Sequence, residues 1–208
     1  MNNKNVEIIE ILKETYPDAK CSLNFENPFQ LVIAVMLSAQ CTDERVNQVT
    51  PKLFQKYPTV QILANVSIKN IEEIIRPCGF YKNKAKNIKD CCKKIIEDYN
   101  GQVPKNIEEL TTLAGIGRKS ANVIMLEAFG QPCGIAVDTH AKRISNRLGL
   151  SSESDPIKIE QDLIKIFPHK YLKDINHLFI WHGRNTCTAR NPKCEKCTIA
   201  KFCKTYNE

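Results

Sequence analysis

The chain has 208 residues, 42% of them hydrophobic, and a formal net charge of +7 from 30 Lys and Arg against 23 Asp and Glu. That is an ordinary globular composition with room for one large or two small domains, and it excludes disordered, collagen-like and coiled-coil classes. The basic excess points to an anionic partner, nucleic acid first.

In chain order, Val6 to Leu12 sets apolar residues around Glu7 and Glu10, an amphipathic helix rather than a signal peptide. Asn27-Pro28 reads as an N-cap followed by proline at the first helical position. The helix it opens, Phe29 to about Ala39, is apolar nearly all round and should be buried. Its Leu31 to Leu37 stretch is the longest apolar run, too short to span a bilayer, so no membrane partner is expected. Val46, Val49, Leu53 and Phe54 place a helix over Asp43 to Tyr57, with Pro51 predicted to kink or restart it. Ile68 to Ile75 and Lys84 to Tyr99 are amphipathic segments flanking a turn at Pro77-Cys78-Gly79-Phe80. Lys82, Lys84, Lys86, Lys89, Lys93 and Lys94 read as a solvated helix face. Asn106 to Leu113 and Arg118 to Phe129 form a short and a longer helix. Thr139 to Leu148, Pro156 to Phe167 and Lys173 to His182 continue the period. With no strand-turn-strand signal and no repeat, the fold class is all-α.

Ala114-Gly115-Ile116-Gly117 joins two of these helices very tightly. Two glycines one residue apart allow unusual backbone angles and close approach of a ligand to the main chain. The amides there, together with those opening the next helix, would form an anion pocket at a positive helix end. A duplex phosphate fits such a pocket as a positioning contact without base readout. Arg118 and Lys119 sit in that helix's first turn, where each cation opposes the dipole at a cost of about 0.3–1 kcal/mol. A bound phosphate accounts for Arg118. A lysine partly shielded from water at a positive helix end has its free amine made available, as a nucleophile needs. From chemistry alone, phosphate binding is the better account of Lys119. Asp138, before Thr139, is a good N-cap.

Ten cysteines occur, and four of them, Cys187, Cys194, Cys197 and Cys203, fall within seventeen residues as Cys-x6-Cys-x2-Cys-x5-Cys. So compact a group can wrap one metal centre. Zinc sites usually pair two short knuckles across an insert, whereas only Cys194-Glu195-Lys196-Cys197 is a knuckle here, which favours a 4Fe–4S cluster over zinc. Cys21, Cys41, Cys78, Cys91, Cys92 and Cys133 are expected as free thiols in a reducing cytoplasm. Arg184, Arg190, Lys193, Lys196, Lys201 and Lys204 crowd the cysteines with only Glu195 opposing, a basic loop suited to a phosphate backbone.

Leu113-Ala114-Gly115-Ile116-Gly117-Arg118-Lys119-Ser120-Ala121 resembles the helix-hairpin-helix of DNA repair enzymes. Taken with Ile135-Ala136-Val137-Asp138-Thr139-His140 and the four cysteines, in that order, the chain resembles endonuclease III from about residue 20 to Cys203. The resemblance implies two helical domains flanking a DNA cleft. Residues 21–132 would form a six-helix barrel with the hairpin at about 106–129, and residues 1–20 and 133–208 a domain ending in a cluster loop at 187–203. It implies a bifunctional DNA glycosylase and abasic-site lyase of base excision repair, acting on double-stranded DNA that contains damaged pyrimidines or abasic sites. Lys119 matches the family's nucleophile and Asp138 its catalytic aspartate, with His140 supporting the site. Leu37-Ser38-Ala39-Gln40 matches the loop whose glutamine fills the hole left by an extruded base, here Gln40. Cys78-Gly79-Phe80-Tyr81 matches the turn supplying an apolar wedge, here Phe80, for which core packing is the alternative. Gly115, Gly117, Arg118, Arg184, Arg190 and Lys193 are further DNA-contact candidates.

Two rivals stand beside this. One is the monofunctional adenine-removing relative, which usually lacks lysine at the position of Lys119 and carries a further C-terminal domain. The other is a non-catalytic DNA-binding module with structural zinc, which leaves Lys119 and Asp138 as coincidence. A cytoplasmic monomer is expected, nucleoid-associated if bacterial.

Overall fold

The computed structural model describes residues 3–207, and among these the chain is helical with no strand. Contacts divide it into two compact units, one running from Ser22 to Gln131 and the other formed by the residues up to Cys21 and from Pro132 on.

The first unit is built on α2 (Pro28–Ser38). Its start follows from the Asn27 cap, whose Oδ1 accepts from the Gln30 amide at 3.0 Å. Gln30 to Leu37 are all buried, because an all-round apolar helix is driven to the centre of its unit. Around it lie α3 (Asp43–Lys56), α4 (Val60–Asn65), α5 (Ile68–Ile75), α6 (Tyr81–Tyr99), α7 (Ile107–Leu110) and α8 (Arg118–Phe129). α3 and α8 pack on α2, while α4 and α5 pack on α6.

Pro51 does not restart α3, which runs through it unbroken. Burying Val46, Val49 and Leu53 on one face, at about 1.5–3 kcal/mol each, outweighs the lost hydrogen bond. α4 was not foreseen: six residues are too few for a helical period to register, and its Thr59 cap is the local signal. α6 begins at Tyr81 rather than Lys84, started by Phe80 in a left-handed conformation whose carbonyl accepts from the Lys84 amide at 3.1 Å.

The second unit holds α1 (Asn3–Thr15), α9 (Thr139–Leu148), α10 (Pro156–Ile166), α11 (Leu172–Asn185) and the short α12 (Lys204–Asn207). α11 packs on α1 and α9, and α10 and α12 also lie against α9. Its core is one cluster that includes Ile8, Leu12, Ile144, Ile159, Leu163, Ile175 and Phe179, with Cys187, Cys197 and Cys203 packed at the edge. The four-cysteine loop therefore rests on the core of its own unit.

Candidate functional site

Leu113 and Ala121 are buried and close the hairpin between α7 and α8. Gly115 has φ +80°, and a Cβ there would meet Met36 Cε at 3.0 Å and Asn87 Nδ2 at 3.1 Å. Both the backbone angle and the seat on α2 and α6 therefore demand glycine. Gly117 differs from expectation. At φ −97° and ψ 176° it is extended backbone that any residue adopts, and a Cβ would meet nothing within 4 Å. Its glycine keeps the main chain open rather than enabling a special angle. It is the N-cap of α8 and makes no side-chain cap hydrogen bond.

Arg118 and Lys119 are both exposed. The shielding from water expected for Lys119 is not supplied by the chain itself, because the side chain stands on the outer turn of α8. Gln40 and Phe80 are also exposed, at φ 53° and 46°, and Phe80 keeps 65% of its surface accessible. Core packing is thereby excluded for Phe80. Gln40, Phe80 and Gly115 line one cavity of about 210 Å³, together with Met36 and Asn87.

Asp138 is the N-cap of α9, with Oδ1 accepting from the Ala141 amide at 2.8 Å. His140 lies half-buried, its Nδ1 3.1 Å from Arg143 Nη2. Burial, aided by Arg143 and Arg184 and opposed by Asp138, lowers its pKa.

Cys187, Cys194, Cys197 and Cys203 line one cavity of about 150 Å³, walled by Ile144, Leu148 and Ile199. Among the described residues no three His, Cys, Asp or Glu side chains converge tightly enough for a single ion. Polar groups feed the sulfurs. Arg147 Nη1 donates to Cys187 Sγ at 3.3 Å and to the Thr188 carbonyl at 2.8 Å, and Nη2 donates to the Ala189 carbonyl. His182 Nε2 lies 3.7 Å from Cys197 Sγ, and its Nδ1 is 3.1 Å from the Tyr16 hydroxyl. Burial, with Arg143 nearby, pushes the His182 pKa down to about 4, so it is a neutral partner for a thiolate. Burial raises the Cys197 thiol, and the other three sulfurs add to this, so bare thiolates repel until a cationic centre joins them. The residues present fit an iron–sulfur centre.

Arg184, at the end of α11, and Arg190 and Lys193, in the cysteine loop, are all exposed. The basic group is not opposed by Glu195 alone, since Lys201 Nζ meets Glu7 Oε1 at 2.7 Å, a residue distant in sequence brought in by α1. Nor are the α6 lysines a uniform solvated face: Lys84 is buried and Lys89 donates to the Val66 carbonyl at 2.7 Å.

Residues 33–169 match the HhH-GPD superfamily of base excision DNA repair proteins, and residues 187–203 match the iron–sulfur binding domain of endonuclease III. The chain is 52% identical over 197 residues to an endonuclease III of Synechocystis, covering 95% of this chain and 90% of the relative. The chain belongs to the endonuclease III family.

Two solved structures are similar over 100% of the chain, each with a TM-score of 0.92 and 41% identity. One is a non-covalent endonuclease III–DNA complex, of which 97% is covered, and the other, covered at 98%, is a trapped endonuclease III–DNA covalent intermediate. Membership of the endonuclease III family gives the class of activity, a DNA glycosylase and abasic-site lyase of base excision repair, and the cofactor, a 4Fe–4S cluster whose binding domain matches residues 187–203. No helix among the described residues is long and apolar enough to cross a membrane.

Sequence reading missed Arg143, Arg147, Gly183 and His182. Arg143 Nε donates to the Cys187 carbonyl at 3.0 Å and Nη2 to the Gly183 carbonyl at 3.1 Å. A Cβ on Gly183 would fall 2.6 Å from His140 Nδ1, so only glycine lets α11 approach α9 there. An Arg-x3-Arg pair on one face of α9 was the available signal for the two arginines.

Proposed function

We propose that this protein removes oxidised pyrimidines from duplex DNA and cleaves the strand 3′ to the resulting abasic site, with Lys119 as nucleophile and Asp138 as its acidic partner. The observation carrying this is the exposed Lys119 amine on the opening turn of α8, two residues after Gly117, a glycine that leaves the backbone approachable. Amides at the hairpin hold a phosphate while the damaged nucleotide is extruded. Gln40 fills the vacated space and Phe80 wedges between base steps.

The Lys119 amine attacks C1′, and the glycosidic bond breaks with its electron pair leaving on the base. Ring opening at C1′–O4′ gives a protonated imine. Loss of a C2′ proton then expels the 3′ phosphate by β-elimination, and water releases the lysine. Asp138 accepts the lysine proton and stabilises positive charge on the sugar, as carboxylates do in glycoside hydrolysis. Cys187, Cys194, Cys197 and Cys203 would hold the 4Fe–4S centre, which would order the basic loop carrying Arg190 and Lys193.

Borohydride trapping on a duplex bearing one thymine glycol tests this. Wild-type protein should give a covalent complex and Lys119→Gln none, while both bind the duplex. Trapping by Lys119→Gln at the wild-type level would remove Lys119 from the nucleophile's role.

A further inference from the structure

Lys84 is 6% exposed, a burial that ammonium groups rarely suffer without partners. Its Nζ donates to the Leu37 carbonyl at 2.8 Å and to the Cys78 carbonyl at 2.8 Å. Leu37 lies in the last turn of α2, where carbonyls have no helical partner and the dipole favours a cation. Cys78 lies two residues before Phe80. One ammonium thus ties together the two chain segments that lead to Gln40 and to Phe80. The Lys84 amide also donates to the Phe80 carbonyl at 3.1 Å, so this residue grips the second turn at two points.

Gln40 and Phe80 share an unusual property. Both are non-glycine residues in the left-handed region, at φ 53° and 46°. Such conformations persist only where the surroundings over-determine them, and they gather at functional sites. Both side chains are exposed and line the same cavity, with Lys84 in its wall. Burial lowers the Lys84 pKa, and the thiols of Cys41 and Cys78 oppose that change, so sulfur lies near the ammonium on both tied segments.

We propose that Lys84 is a positioning residue that holds Gln40 and Phe80 at a fixed separation for joint insertion into the duplex. This rests on the roles given above to Gln40 and Phe80. Lys84 touches no DNA; it sets the spacing of the two residues that do. Lysine suits the task because a single ammonium can donate in several directions to carbonyls from separate segments.

The test uses the full-length, cluster-loaded protein and two duplexes, one undamaged and one bearing a tetrahydrofuran abasic site. The readout is selectivity, the ratio of the two dissociation constants. Lys84→Met should lower selectivity about tenfold or more by removing two charge-assisted hydrogen bonds, with undamaged binding unchanged. The variant Gln40→Ala/Phe80→Ala should lose selectivity as well, and adding Lys84→Met to it should change little further. A purely structural lysine would instead give losses that add, and additive losses overturn the proposal. Unchanged selectivity in Lys84→Met, beside a loss in Gln40→Ala/Phe80→Ala, also overturns it. Full selectivity in Gln40→Ala/Phe80→Ala would sink the underlying roles of those two residues instead. If Lys84→Met does not fold, Lys84→Gln, which keeps one donor direction, is read in the same way. Failure of both to fold would make Lys84 a stability residue and end the proposal.

Discussion

Gly115 and Gly117 sit two residues apart in one loop, yet their physical roles diverge. Gly115 combines φ +80° with Met36 and Asn87 side-chain atoms that would have to shift by a few tenths of an ångström to admit a methyl group. Gly115→Ala should therefore cost at least about 1–2 kcal/mol in denaturant unfolding. Gly117→Ala should stay within about 0.5 kcal/mol, since its backbone is extended and the space around it is open. Equal losses at the two positions would contradict this division. The Gly-x-Gly pattern was legible in sequence, but which glycine carried the strain was not, because that depends on what α2 and α6 bring beside the loop. Phe80 and Lys84 carry the same lesson in opposite senses. An aromatic residue after Gly79 could be read as core and stands exposed, whereas a lysine in a run of lysines read as solvated and lies buried.

At the scale of elements, α9 links two jobs, one at its cap and one along its length. Its N-cap is Asp138, and farther along Arg143 and Arg147 reach the cluster loop. Asparagine caps helices as well as aspartate does, so Asp138→Asn should keep stability within about 0.5 kcal/mol while base release slows. Asp138→Ala should lose about 1 kcal/mol in addition to activity. If Asp138→Asn unfolded as readily as Asp138→Ala, the cap would depend on charge and the two roles could not be separated. Arg147→Met removes donors to the Cys187 sulfur and to two loop carbonyls. Its iron should be lost to a chelator several-fold faster than from wild type, followed as fading of the cluster's visible absorbance. An unchanged rate would mean the sulfur cage holds its metal without the arginine. Helices such as α5 and α9 were placed by sequence because caps and apolar spacing agree locally. α4 and the continuity of α3 through Pro51 were not, because the deciding contribution is burial against neighbours.

For the whole molecule, the charge of +7 makes duplex binding a matter of counterion release. With four or more phosphates engaged, a plot of log affinity against log salt should be linear with a slope steeper than about −3. A nearly flat plot would mean that the exposed Arg190 and Lys193 do not face the backbone. By itself the sequence determined the all-helical class, the four-thiol centre and the hairpin. These are written in local terms: apolar period, cysteine spacing, and glycines beside a helix start. Only the tertiary structure decided that Lys84 is internal, that Glu7 answers Lys201, and that Arg147 donates to the Cys187 sulfur. Each of those joins residues far apart in the chain, and such distances close only when apolar faces have packed and brought the polar groups between them within reach.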